Sequence, residues 1–203
     1  YRLLAGSKHG LERECLRITK KGKLAASPHP QNLGSALTNP YITTDFSESQ
    51  LELVTPAFNR EEETLKFLED IHLFVNKNLP NELLWPFSMP CRLPSEKKIP
   101  LANYGKSYTG QKKTLYRLGL SHRYGRKMQT VSGTHYNFSF SDKFWDFMHK
   151  NFAPKEEKSQ FISSAYLALI RNFLRYGWLN TYLFGASPVL DKSYLNKKHP
   201  SLK

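Results

Sequence analysis

Cysteine is nearly missing from this chain: Cys15 and Cys91 are its only two. That excludes a disulfide framework and an all-thiolate zinc site, and makes a reducing cytoplasm the simplest compartment. No apolar run approaches the roughly 18–20 residues needed to span a bilayer, and no signal-peptide pattern opens the chain, so no membrane partner is expected. GxxxxGK[ST] and GxGxxG segments are absent, which argues against P-loop and Rossmann nucleotide sites. HExxH and CxxC are absent as well, which removes the common zinc sites. Acidic residues vanish over one long stretch, Lys97 to Lys127, and no internal repeat, low-complexity segment or clear linker interrupts the 203 residues.

What is present is enough for one sizeable core or two small ones, with 39% hydrophobic and 13% aromatic residues. The formal net charge of +13 suits a nucleic-acid surface, a membrane surface or anionic small molecules. In the acid-free stretch Tyr104, Tyr108, Tyr116 and Tyr124 are interleaved with Lys and Arg, as in a single-strand binder. A basic loop region whose tyrosines pack on the body, or a site for a phosphorylated small molecule, explains the same residues. Chemistry elsewhere has to decide.

The segment from Leu11 to Ile18 reads as a first strand ended by a turn at Thr19-Lys20-Lys21-Gly22. Residues 41–46 are β-prone and then acidic. Residues 50–55 alternate as a second strand, with Leu51 and Leu53 inward and Glu52 on the other face. Asn59 with Glu62 predicts a capped helix carrying Leu65, Leu68, Ile71, Val75 and Leu79 inward and ending at Pro80. The proline-rich stretch 80–100 predicts an ordered loop, and the glycines of 103–133 predict turns or short elements.

A third strand is expected over residues 134–140, with Tyr136, Phe138 and Phe140 toward a core and His135, Asn137 and Ser139 facing a site. Helices are expected from Asp142 to about Lys150 and from Glu156 to about Tyr176, the second carrying Phe161, Ala165, Ala168, Leu169, Phe173 and Tyr176 on its apolar face. Leu183 to Pro188 reads as a turn. Strands and helices mix without βαβ alternation, so the expected class is α+β, an antiparallel sheet with packed helices.

On the first strand Glu12 and Glu14 stand two residues apart and leave the same face. Adjacent carboxylates repel, and a bound cation, a basic neighbour or bulk water can each relieve that repulsion. Asp45, Glu52 and His135 are the further candidates, and oxygen donors with one imidazole suit Mg²⁺ or Mn²⁺. A solvated strand edge remains the plainer alternative: a lone strand histidine is commonly structural, Asp45 can cap a turn, and Glu52 can face water.

Several motifs, in order over nearly the whole chain, resemble one family. They are Gly10-Leu11-Glu12-Arg13-Glu14, Ile42-Thr43-Thr44-Asp45-Phe46, Trp85-Pro86-Phe87-Ser88-Met89-Pro90-Cys91, Lys113-Thr114-Leu115-Tyr116-Arg117, the run from Met128 to Ser139, Arg171-Asn172, and Leu183 to Pro188. They resemble the proteobacterial type of glutamate–cysteine ligase. The resemblance implies a catalytic fold like that of glutamine synthetase. It also implies ligation of the glutamate side-chain carboxylate to the amine of cysteine through a γ-glutamyl phosphate, the first step of glutathione biosynthesis.

ATP is then the co-substrate, L-glutamate and L-cysteine are the other partners, and Mg or Mn is the cofactor. Glu12, Glu14, Asp45, Glu52 and His135 are implied as metal ligands, with Asn137 beside them. Phe46, Tyr116, Arg117, Gln129 and Asn137 are implied on the substrate side. A monomer in the cytoplasm that binds neither nucleic acid nor membrane is expected. The family's proteins are longer, so residues 1–203 are expected to be the N-terminal part of a single catalytic domain and inactive alone. The competing expectations are a non-catalytic basic module on a truncated ligase scaffold, and a ligase with another amine acceptor.

Overall fold

The structure is a computed structural model, and it describes residues 3–79, 81–185 and 189–195. The chain divides into two compact units, one of residues 9–137 with 189–203 and one of residues 1–8 with 138–188.

The larger unit is built on β1 (Lys8–Thr19), a 12-residue strand. Its length lets it pair with more than one partner. Residues 12–16 run antiparallel to β3 (Gln50–Val54), and residues 17–19 run antiparallel to β4 (Glu82–Leu84). The strand β2 (Ile42–Thr44) pairs antiparallel with β3, and β5 (Thr134–Ser139) pairs with β1, which gives the order β2-β3-β1-β4 with β5 off that path. With helices packed beside an antiparallel sheet, the class is α+β as expected.

Two-residue alternation gives the sheet two different faces. Cys15, Leu51 and Leu53 share one face with Leu68, Ile71, Val75 and Leu79 of the helical region that follows. On the other face β1 is apolar toward its end, where Leu16 and Ile18 pack with Leu24, Cys91, Leu93 and Ile99. Earlier on that same face β1 carries Glu12 and Glu14. The sheet thus has a filled side, and a side that is filled at one end and acidic at the other.

The helix α1 (Glu61–Lys77) lies where periodicity placed it, with two corrections. Arg60, not Asn59, is the N-cap residue, and its side chain makes no capping bond. Three carboxylates, Glu61, Glu62 and Glu63, complement the helix dipole there instead. Leu65 is 52% exposed, and Thr64 takes the inward position. The polar side chain is tolerated because its hydroxyl donates to the carbonyls of His9 (3.1 Å) and Arg60 (3.2 Å).

Where only a loop was expected, the proline-rich stretch contributes the strand β4 and a 3-10 turn over Glu96–Lys98. The stretch 103–133 departs furthest from expectation, since α2 (Tyr108–Tyr124) is a 17-residue helix. Its signal was masked by two glycines and by the lack of an apolar stripe; Gly110 is its only buried residue. A Cβ at Gly110 would stand 2.3 Å from the Tyr104 carbonyl oxygen, so glycine is what lets the helix start against that loop. Ser107 caps it by accepting from the Gly110 N–H (3.1 Å).

In the smaller unit α3 (Asp142–Phe152) carries Trp145, which is buried among Phe140, Phe144, Phe161 and Tyr166. The helix α4 (Lys158–Tyr176) starts two residues later than expected, with Glu157 as N-cap accepting from the Gln160 N–H (2.9 Å). Its expected apolar face is only partly covered: Leu169, Phe173 and Tyr176 are exposed. An 11-residue α3 reaches about 16 Å and α4 about 28 Å, so α3 packs along only part of α4. Leu183 and Phe184 end a further helix, α5 (Trp178–Phe184), and do not begin a turn. Residues 186–188 of that expected turn lie outside the described residues.

The aromatic side of β5 also differs from expectation. Tyr136 is exposed, and its hydroxyl is hydrogen-bonded to Nδ1 of His9 at 2.5 Å. Its hydroxyl serves a polar partner, so the ring is not committed to a core.

Candidate functional site

Register brings the acidic residues together. Glu14 and Glu52 are direct cross-strand partners of β1 and β3, and Thr43 of β2 faces Glu52 from the other side. Like charges directly opposite each other in an antiparallel pair are destabilising unless something compensates. Asp45 follows β2, and its backbone N–H donates to the Gln50 carbonyl at 3.0 Å, which holds it at the mouth of the β2–β3 turn. On β5, His135 Nδ1 lies 3.0 Å from one oxygen of Glu12, and the Asn137 amide donates to the other at 2.9 Å. All four carboxylates are half-buried, while His135 is exposed.

Glu14 and Gly133 exchange two hydrogen bonds. The Glu14 backbone N–H donates to the Gly133 carbonyl (3.0 Å), and the Gly133 N–H donates to Oε2 of Glu14 (2.8 Å). A Cβ at Gly133 would lie 3.2 Å from Nε2 of His135, so the position leaves little room for a side chain.

Burial dominates the protonation equilibria of these carboxylates. Burial, followed by the charges of Asp45, Glu12 and Glu14, pushes Glu52 up to about 7. Burial raises Glu14, against the Gly133 N–H that lowers it, and burial also raises Asp45, against the Arg117 guanidinium. The hydrogen bond to Glu12 raises His135. Burial is the first cause of all three carboxylate shifts; neighbouring carboxylates add to it at Glu14 and Glu52, whereas at Asp45 the charges of Arg117 and His135 oppose it.

Arg117 is the cation nearest to supplying some of it. From α2 it reaches over the Tyr104 ring at 4.6 Å, and its Nε donates to the Asp45 carbonyl. Tyr104 is buried and its hydroxyl donates to the Thr44 carbonyl at 2.5 Å, so this member of the tyrosine series packs on the body. Tyr108, Tyr116 and Tyr124 are exposed. Gln129 is half-buried in a 3-10 turn over Met128–Thr130. Phe46 is buried, its N–H toward the Asp45 carboxylate and its carbonyl accepting from Ala102 (3.0 Å).

Chemically, half-buried oxygen donors with one imidazole fit a hard divalent cation better than zinc or copper. Among the described residues no three His, Cys, Asp or Glu side chains already form a ready-made metal group. The donors are turned to one another instead, Glu12 to His135 and Asn137, Glu14 to Gly133. A groove of about 570 Å³ between Leu101–Gly105 and α2 is lined by Asn103, Tyr108, Lys112 and Leu115 and includes none of the carboxylates. The carboxylates and this groove are therefore separate features.

Two residues of the site's support were not singled out in the sequence. Gln50 shares the face of Glu52 by simple alternation, a signal the sequence did contain. Arg17 gave no such signal. It has no solvent exposure, and its guanidinium meets Glu82 at 2.5 Å, the Ser27 hydroxyl and carbonyl at 2.6 and 2.8 Å, and the Glu48 carbonyl at 2.9 Å. A buried arginine on the strand of the acidic pair thus anchors the turn that carries Asp45.

Comparison with known proteins accords with this architecture. The glutamate–cysteine ligase family model matches residues 1–203. Glutamate–cysteine ligases of Pseudomonas putida (strain W619) and Saccharophagus degradans are each 52% identical over 201 residues, 99% of this chain. The chain spans 38% of the length of these curated relatives. A crystal structure of glutamate–cysteine ligase from Francisella tularensis in complex with AMP is 38% identical with a TM-score of 0.87, over 96% of this chain and 38% of that one. A bifunctional glutathione synthetase from Pasteurella multocida is 37% identical with a TM-score of 0.86, over 97% of this chain and 26% of that one. Matched along its whole length by the family model, the chain belongs to the glutamate–cysteine ligase family.

Proposed function

We propose that the polypeptide to which this sequence belongs is a glutamate–cysteine ligase of glutathione biosynthesis, using ATP to join the glutamate side-chain carboxylate to the amine of cysteine. The observation that carries this reading is the acidic face of the sheet, where Glu14 opposes Glu52 and where burial, then the charges of Asp45, Glu12 and Glu14, push Glu52 up to about 7. A protein gains nothing in stability from such a pair, and retains it where positive charge is to be bound.

Glu12, Glu14, Asp45, Glu52 and His135 would hold Mg²⁺ or Mn²⁺. When bound, a divalent cation screens the approach of a carboxylate to the ATP γ-phosphate and stabilises the charge on the transferring group. The chain's own residues prepare that face. Asn137 and His135 orient Glu12, Gly133 orients Glu14, and Arg117 with Tyr104 secures the backbone at Asp45. Tyr116, Arg117, Gln129, Asn137 and Phe46 would serve the substrate side, a role implied by the resemblance of their motifs.

In the full polypeptide, ADP release should require glutamate, cysteine and Mg²⁺ together, and Glu14→Gln should lower it by roughly 100-fold. Unchanged activity and metal dependence in Glu14→Gln would refute the role of that carboxylate. A panel of other amines in the same assay distinguishes cysteine from other acceptors, and turnover faster with another amine would overturn the substrate assignment.

A further inference from the structure

The turn that joins β2 to β3 is unusual for a hairpin connection, because Phe46, Ser47, Glu48, Ser49 and Gln50 are all buried. Loops normally run over the surface, where water satisfies their backbone. This one is satisfied by protein: Arg17 holds the Glu48 carbonyl, the Ser47 hydroxyl donates to Pro100, and the Glu48 carboxylate accepts from the N–H groups of His29 (2.8 Å) and Asn103 (2.7 Å).

Gln50 closes the turn and has no solvent exposure. Its carbonyl accepts the Asp45 N–H. Its side-chain nitrogen faces three oxygens, Oε2 of Glu14 at 3.5 Å, the Val131 carbonyl at 3.4 Å and the Ser132 hydroxyl at 3.3 Å. A carboxylate and a carbonyl accept only, so the amide must present its NH₂ group to them. Among the described residues its Oε1 is buried and meets no hydrogen-bond partner. One residue therefore touches Asp45 through the backbone, Glu14 through the side chain, and the segment that leads into β5 with His135 and Asn137.

The choice of an amide here has a physical consequence. A lysine or arginine would neutralise Glu14 by itself and compete with a cation for it. A neutral donor directs Oε2 inward with the Gly133 N–H and leaves the carboxylate's charge for the ion. We propose that Gln50 is a positioning residue of the metal site, which fixes Glu14 relative to Asp45 and the β5 ligands; this rests on the ligase reading given above.

The test is direct binding of Mn²⁺ to the full polypeptide without substrates, followed by loss of the free-ion EPR signal, in wild type, Gln50→Leu, Gln50→Met and Glu14→Gln. Thermal melting in EDTA records folding separately. Gln50→Leu and Gln50→Met are expected to melt as folded proteins and to bind Mn²⁺ roughly 10–100-fold more weakly. Binding within threefold of wild type in either folded variant, with binding lost in Glu14→Gln, overturns the positioning role and leaves the metal site standing. Failure of both Gln50 variants to fold also overturns it, because the amide then serves the core. Unchanged binding in Glu14→Gln removes the metal site itself, and the role of Gln50 with it.

Discussion

The Arg17–Glu82 pair supplies the sharpest stability prediction. Arg17 is wholly buried and Glu82 keeps 16% of its side-chain exposure, and the two meet at 2.5 Å. The Ser27 hydroxyl accepts from Arg17 and donates to the other Glu82 oxygen. Removing one member of a buried pair costs about 3–5 kcal/mol, because the survivor stays charged where water is scarce. The exposures make the two single losses unequal.

In Arg17→Met the orphaned charge is Glu82, which can draw water through its exposed edge. In Glu82→Leu the orphan is a guanidinium with no exposure, left with neutral acceptors, the Ser27 hydroxyl and the backbone carbonyls of Ser27 and Glu48. The expected costs are about 3 kcal/mol for Arg17→Met and about 5 kcal/mol for Glu82→Leu. The double variant should fall short of the sum by at least about 2 kcal/mol, since it leaves no orphaned charge.

Urea unfolding followed by Trp85 fluorescence reports locally, because the Trp85 backbone N–H donates to the Leu16 carbonyl (2.8 Å), one residue from Arg17. A background with Trp145→Phe and Trp178→Phe removes the other tryptophan signals of residues 1–203. Each single variant should lower the melting temperature by several degrees. Additive energies in the double variant, or a larger loss in Arg17→Met than in Glu82→Leu, would refute the reasoning.

The remaining predictions concern the carboxylates and the thiols. In EDTA the protein should lose stability as pH rises from about 4.5 to about 7, because folded Glu52 keeps its proton through that window while the unfolded carboxyl has released it. The full shift corresponds to about 3 kcal/mol, and solvent contact of this half-buried group brings the expected penalty to about 1–2 kcal/mol. Saturating Mg²⁺ at pH 8 should offset it and Glu52→Gln should flatten the slope; equal metal-free stability at pH 5 and pH 8 would contradict the crowding of charge. Burial pushes Cys15 up to about 12 and Cys91 up to about 11. Both thiols should therefore resist a disulfide reagent at pH 8 until the chain unfolds, and rapid labelling of the folded protein would show that the sheet is open.

Local rules were sufficient wherever alternation and periodicity had a full partner to pack against. Glu12 beside Glu14, and Glu52 opposite Leu51 and Leu53, follow from the two-residue repeat alone. So does the inward line of Leu68, Ile71 and Val75. The α+β class follows from the mixture of strands and helices. The family motifs are covalent facts of the sequence, and they pointed to the right family before any coordinates were needed.

Tertiary structure decided what depends on contacts distant along the chain. Thr64 replaces Leu65 in the core because the His9 carbonyl is there to accept its hydroxyl. The helix α2 exists although glycine and the absence of an apolar stripe speak against it, because Gly110 can approach the Tyr104 carbonyl as no other residue could. Arg17 looks like a surface charge in sequence, and only the closure of Ser27, Glu48 and Glu82 around it makes burial affordable. Sequence placed the carboxylates on their strands. The register of β1 against β3, pinned by a buried turn, is what sets Glu14 against Glu52, since cross-strand distance is fixed by pairing and cannot be read from spacing along one strand.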